Sequence, residues 1–355
     1  MSFEVFVQNI LNGLTLGSLY ALIAIGYTMV YGILRLINFA HGEIFMLGAY
    51  FVFWGVTLVG LPWPAATVLA VAVAACIGFF AFKAGGAFNL SRGKTTVFGI
   101  AATALTAFSV FWGATHQGLA WPLAIVFAIV LTACTGILVD QVAYRPLRDA
   151  PRISALISAI GVSFFLQNVA IVFFKAIPRA VYRPHWLADA IVVRGLHIMP
   201  ITLVVPVLSV ALMLALLYVV YRTKTGLGMR AISKDIETSY LMGVPVNRVI
   251  AVTFGIGSAL AAASGIMWSL RYPQLQPVMG SIPGFKAFIA AVFGGIGSVQ
   301  GAVVGGVTLG LIEIMIVAFF PSLAGYKDAF AFILLIGVLL VKPTGLFGQR
   351  IEDKV

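Results

Sequence analysis

The chain has 355 residues, of which 61% are hydrophobic and only 9% charged, with a formal net charge of +11. Soluble proteins carry roughly 25% charged residues, so the composition excludes a soluble multidomain protein and points to a polytopic membrane protein. In such a chain the positive balance reports which loops face the cytoplasm rather than an affinity for nucleic acid.

Apolar runs of about 20 residues, the length that crosses a bilayer, predict a single all-α transmembrane domain over 1–355. The runs fall near 8–33, 40–60, 64–82, 97–115, 119–143, 153–175, 201–222, 249–271, 284–300, 301–321 and 328–342, about ten or eleven segments by hydropathy. The N-terminal stretch lacks a basic n-region and a cleavage site, so it is expected to be a retained first span.

The second run opens with INFAHGEIFMLGAY (37–50), where Asn38, His41 and Glu43 stand within six residues. If a helix starts here, the Asn38 side chain can cap it and Glu43 complements its dipole in the first turn. That leaves His41 unused, and a broken helix whose positive end faces a cavity would use all three. The run at 284–300, short and rich in glycine, is the other candidate for a broken or re-entrant segment. Such breaks are tolerated where backbone is buried in protein or lines a wet cavity.

Further along, RGKTT at 92–96 lacks the first glycine of a phosphate-binding loop, since Phe88 stands where it would be needed. Cys76 and Cys134 lie in apolar runs and read as small packing residues. No metal site or cofactor is expected. In ISALISAIGVSFFLQN, Ser154 and Ser158 share one helix face, as do Ser163 and Gln167. Interhelical hydrogen bonds or a wet path would both explain them. Residues 176–200, with Pro178, Pro184 and Pro200 and a short IVV run, form the longest outside loop.

The longest inside loop is 222–248. Within it GMRAISKDIETSYLMG predicts one amphipathic helix with Met229, Ile232, Ile236 and Tyr240 on one face. Gly243 is placed as its C-cap, and Pro245 stops it. The stripe must be covered by lipid, by a partner protein or by the chain's own spans. Near the C-terminus, Gly297, Gly301, Gly305, Gly306 and Gly310 recur at four-residue spacing and predict close helix packing. Glu313, inside LGLIEIMIVAFF, marks either a functional path or a buried structural pair. GLTLG (13–17) and GVTLG (306–310) form a weak internal echo, read as coincidental.

With residue 1 outside, 15 of the 22 basic residues fall inside, and Lys175, Arg179, Arg183, Arg194, Arg271, Lys286 and Lys327 fall outside. The bias predicts a periplasmic N-terminus and a cytoplasmic C-terminus. It also places Asn38, His41 and Glu43 at the inner face, opening the second segment near the cytoplasmic end of a pathway. The reading favoured for them is a structural broken-helix cap bordering that path.

Several of these stretches carry a resemblance. LNGLTLGSLYALIAIGYTMVYGILRLINFAHGEIFMLGAY, YRPLRDAPRISALISAIGVSFFLQN, LMGVPVNRVIAVTF, FKAFIAAVFGGIGSVQGAVVGG and KPTGLFG, in that order, resemble the membrane permease subunits of branched-chain amino-acid ABC transporters. Residues ~80–120 exceed the usual length and look like an insertion. The resemblance implies a bacterial inner-membrane importer, itself not an enzyme. A periplasmic binding protein would deliver leucine, isoleucine or valine, two related permeases would form the pathway, and two ATPases would drive it. Urea or short amides are the alternative cargo. The ATPase-docking loop of such permeases resembles E-A-A-x-x-x-G; here Glu237 and Gly243 keep the spacing without the alanines. The residues expected to border the pathway are Asn38, His41, Glu43, Ser158, Gln167 and Glu313, and those expected to couple to the ATPase are Met229, Ile232, Ile236, Glu237 and Gly243. An ion-coupled secondary transporter with Glu313 and His41 as relay groups is a weaker reading. So is a membrane enzyme using His41 and Glu43 as acid and base.

Overall fold

The computed structural model of the chain describes residues 3–57, 121–148, 150–181, 183–193 and 196–348. The expected segments at 64–82 and 97–115, RGKTT, Cys76 and the ~80–120 insertion lie outside the described residues. What is described is helical: α1 (Phe3–Leu34), α2 (His41–Thr57), α3 (Trp121–Val139), α4 (Arg152–Phe174), α5 (His185–Ala188), α6 (Pro200–Arg222), α7 (Lys224–Lys234), α8 (Ile236–Leu241), α9 (Val246–Arg271), α10 (Ser281–Gly294), α11 (Val299–Phe319) and α12 (Lys327–Val341). Seven helical stretches among the described residues are long and apolar enough to cross a membrane. Two antiparallel ribbons decorate one end. In the first, Arg179–Ala180 pairs with Gln274–Leu275; in the second, the IVV run (Ile191–Val193) pairs with Leu196–Ile198.

The core forms around α1, which is apolar on all sides and buried from Gly13 to Val30. An all-round apolar helix must be surrounded, and α9, α10, α11 and α6 do so. By contrast α4, α6 and α12 turn Phe165, Val172, Val207, Leu214, Ile333 and Leu340 outward, the pattern of helices that meet hydrocarbon or another apolar helix. The α1–α11 contact is where the GLTLG/GVTLG echo meets itself. The two copies lie antiparallel, and a Cβ on Gly17 would fall 2.7 Å from the Val307 Cα, while one on Gly310 would run into the Gly17 backbone. The repeated glycines of α11 divide between two neighbours: Gly301 and Gly305 face α10, Gly306 and Gly310 face α1.

The register of α1 and α9 is antiparallel, with Gly26 beside Gly257 and the Ser264 hydroxyl donating to the Leu19 carbonyl (3.1 Å). Each of these long helices is followed by a non-helical stretch and then a second helix. α1 ends as Arg35 adopts the left-handed conformation (φ 55°). Residues 36–40 then return alongside it, and α2 begins only where His41 meets Gly26 and Gly257. Gly26 lies eight residues back from Leu34, about 12 Å at 1.5 Å per residue. α2 therefore starts about two turns inside the end of α1, buried against Gly26 and Gly257 and not at the end of the bundle. In the same way α9 ends at Arg271, residues 272–280 turn back, and α10 begins beside α2. The helices α2 and α10 meet at their N-termini, where a Cβ on Gly42 would fall 2.6 Å from the Gly280 carbonyl oxygen and 3.1 Å from the Gly284 Cα. Only glycine permits that approach.

Candidate functional site

The opening stretch of α2 is buried throughout: Asn38, His41 and Glu43 are each at most 2% exposed. Their partners differ. The Asn38 side chain does not cap α2, as its Oδ1 accepts the Tyr144 hydroxyl (2.6 Å), and His41 N–H bonds instead to the Asn38 backbone carbonyl (3.0 Å). Tyr144 belongs to a π-helical turn (Asp140–Tyr144) that extends α3 and is anchored by the Asp140–Arg148 ion pair (2.7 Å). His41 stands edge-on to Tyr27 (centroids 4.8 Å), hydrogen-bonded to the Ile23 backbone, and fills the space that the two facing glycines leave.

Glu43 points the other way, toward α4 and α10. Its Oε1 accepts the Ser281 hydroxyl (3.1 Å), which in turn accepts from Gln167 Nε2 (3.3 Å), and Ser163 lies beside the same carboxylate. These groups line a cavity of about 300 Å³ whose other walls are mostly apolar, among them Phe39, Ile160, Phe164 and Phe285. The structure thus brings together Glu43 and Gln167 of the six sequence-derived pathway residues, and adds Ser281. Ser281 escaped the sequence reading because it is a polar residue at the mouth of a short, glycine-rich run. Ser158 is elsewhere, donating to the Ala143 carbonyl (3.1 Å) beside the π turn.

Glu313 belongs to a second cluster. It receives Lys286 Nζ at 2.7 Å and the Tyr20 hydroxyl at 3.0 Å, with Lys327 at 3.8 Å; Lys286 also reaches Asp328 at 2.6 Å. Lys286 was expected at an outside surface and is instead 4% exposed inside α10. An ammonium is retained at such a position when a carboxylate compensates it, and two do so here. This network floors a larger cavity of about 760 Å³, open toward the end of the bundle where α9 finishes, with Asn12, Trp268, Arg271, Gln274 and Gln276 on its walls. Burial holds the Tyr272 hydroxyl, also on that wall, above its ordinary pKa, against the opposing pull of Arg271. Glu313 lines the larger cavity, whereas His41 is packed against Gly26, Gly257 and Tyr27 and lines neither of these two cavities, which removes the geometric basis for a shared proton relay. His41 packs on Tyr27 while Glu43 bonds Ser281, so they make no acid–base pair either.

At the opposite end lies the long loop. The single amphipathic helix expected there is two helices, because Asp235 leaves helical geometry (φ −157°, ψ 113°) and caps α8 by accepting from Thr238 N–H (3.1 Å). The break divides the expected stripe. Met229 and Ile232 on α7 are buried against the chain's own spans, α1 and α9 among them. Ile236 on α8 faces outward with Tyr240, Leu241 and Met242, the last two 84% and 79% exposed. Glu237 sits exposed in the first turn of α8, and Gly243 follows it in the left-handed conformation (φ 78°).

Comparison with known proteins places this geometry. The sequence profile of the branched-chain amino acid transport system / permease component family matches residues 9–83 and 79–339. The chain is 36% identical over 356 residues to the high-affinity branched-chain amino acid transport system permease protein BraD of Pseudomonas aeruginosa, covering 99% of this chain and 98% of that one. It is also 36% identical over 357 residues to the corresponding permease protein LivH of Escherichia coli, covering 99% of both. A shorter match, 31% over 140 residues and 38% of this chain, reaches the autoinducer 2 import system permease protein LsrC of Klebsiella pneumoniae. No solved structure matches. Profile, full-length identity and a bundle of apolar helices agree: the chain is a multi-pass membrane protein of the branched-chain amino acid transport permease family.

Proposed function

We propose that the chain is the permease subunit of an ATP-driven importer that carries leucine, isoleucine, valine or closely related amino acids across a bacterial inner membrane. The observation that carries this reading is the 36% identity to BraD and LivH over essentially the whole of each chain. Its partners are a second related permease, two ATP-binding subunits and a periplasmic substrate-binding protein, with ATP hydrolysed outside this chain. The end holding Arg35, Arg148, Arg222, Lys224, Arg230 and Lys234 is cytoplasmic, in keeping with the excess of basic residues on inner loops. The N-terminus is then periplasmic and the C-terminus cytoplasmic.

The mechanism is alternating access around the α2–α10 junction. The helices α2 and α10 can tilt against α1 and α9 without breaking a continuous span, and the cavity above Lys286–Glu313 is the periplasmic vestibule. Asn38, His41, Glu43, Ser158, Gln167 and Glu313 border the moving parts. Motion is driven from the cytoplasmic side, where the ATPase grips the exposed face of α8. Ile236, Glu237 and the Gly243 turn are in that contact, and Met229 and Ile232 transmit it by anchoring α7 to the spans. An apolar patch rimmed by charge is the form of surface a partner protein covers.

The test is genetic and biochemical together. Deleting this gene should abolish uptake of radiolabelled leucine at micromolar concentration, restored by the wild-type chain, while the purified binding protein should bind leucine, isoleucine or valine. A binding protein that ignores these and takes urea or a short amide would replace the substrate and keep the class.

A further inference from the structure

The cavity at the α2–α10 junction has a feature that structural packing leaves unexplained. Glu43 is 2% exposed and lines this cavity; the hydroxyls of Ser281 and Ser163 bond its carboxylate, and among the described residues its Oε2 is left without a direct partner. The Ser281 hydroxyl is spent on Oε1. Gly280 stands where any side chain would close on Oε2, with a Cβ 3.0 Å away. Among the described residues, no lysine or arginine lines the cavity. A buried carboxylate with no cationic partner is costly, and the chain keeps one, its Oε2 packed against Gly280, in the wall of a space of about 300 Å³, the lower end of the size that holds small ligands.

From this we propose that Glu43 is the counter-ion for the ammonium group of the transported amino acid at an intermediate station in the membrane. The ammonium donates to the Glu43 carboxylate as a side-chain rotation brings it into the cavity, and the Ser281–Gln167 chain holds that carboxylate through Oε1 until then. The aliphatic side chain of the substrate lies against Phe39, Ile160, Phe164 and Phe285. The inference rests on the reading of the chain as an amino-acid permease and adds where, and by which charge, the substrate is held. It also gives this chain a share in selectivity: cargo without a cationic amine leaves the Glu43 charge uncompensated and is held poorly here.

The experiment uses the full chain in native membrane vesicles, with Cys76 and Cys134 replaced by alanine and Ile160→Cys as a reporter on the cavity wall. A membrane-permeant thiol reagent labels the reporter in the presence of L-leucine, 3-methylbutylamine (the same skeleton with the amine alone) or 4-methylpentanoate (the carboxylate alone). Leucine and the amine should slow labelling and the carboxylate should not. Glu43→Gln should weaken protection by both about tenfold or more, the worth of a hydrogen bond to a charged group, and Glu43→Asp should retain part of it. Protection by 4-methylpentanoate as strong as by leucine, no protection by any of the three at millimolar concentration, or a reporter that never labels would each overturn the assignment. Because neither ATP nor the binding protein is needed, those results would leave the importer reading standing. Leucine uptake that survives deletion of the gene would strike that reading alone.

Discussion

At the scale of single residues, the buried ionic network around Lys286 is the feature on which stability turns most sharply. Removing one member of a buried pair leaves its partner uncompensated and costs about 3–5 kcal/mol, while replacing both by apolar groups of similar size costs far less. Lys286→Met should therefore lower the thermal unfolding midpoint of the detergent-purified protein and its level in membranes. Adding Glu313→Leu to it should recover much of the loss. A double variant no more stable than the single would show that the pair does not carry this energy. Glu313 was legible in the sequence, because an ionisable group in an apolar run is anomalous by itself. Lys286 was not: a charge count along the chain assigns every lysine to one surface or the other, and the carboxylates that hold it inside are 27 and 42 residues away. Asn38 and His41 behaved alike. Their cost in hydrocarbon was readable, but Tyr144 and the Gly26–Gly257 gap that accommodate them come from distant helices.

At the scale of elements, α7 and α8 carry opposite expectations. Met229 and Ile232 are core residues, so Met229→Ala or Ile232→Ala should destabilise by about 2–5 kcal/mol, the range for truncating buried side chains, measured as a lower unfolding midpoint. Tyr240→Glu with Leu241→Glu alters only exposed side chains. It should leave membrane levels unchanged and abolish transport by breaking the contact with the ATPase. Gly243→Arg belongs with the latter. A side chain there meets nothing within 4 Å, and the left-handed backbone costs about 1–2 kcal/mol. The protein should insert normally and fail to couple; normal uptake at normal membrane levels would sink the coupling role of this loop. The periodicity of 228–243 gave the amphipathic character correctly but joined two helices into one, since the decisive event is Asp235 turning its carboxylate to cap α8. Asp is a poor interior helix former and a strong cap, but a pattern of apolar residues alone does not register it. In α11, Gly310→Leu should separate α1 from α11 and sharply reduce the protein in membranes, because the Gly17 backbone already occupies that space.

At the scale of the whole molecule, the organising feature among the described residues is the meeting of α2 and α10 at their N-termini inside the bundle, each preceded by a long helix running in the opposite direction to the other. Hydropathy located the long spans well, since their apolar length is dictated by the bilayer, and it marked 40–60 and 284–300 as irregular. It could not show that these two irregular segments touch, because Gly42, Gly280 and Gly284 are silent in hydropathy and speak only through close approach. The importer reading joins this architecture to the exposed α8 face and to the family. Its most direct test is uptake of radiolabelled leucine by liposomes reconstituted with this chain, its partner permease, the ATP-binding subunits and the binding protein. Accumulation should require ATP inside the liposomes and the binding protein outside, and should persist when an ionophore abolishes proton and sodium gradients. Accumulation that needs no ATP and collapses with the ionophore would contradict it.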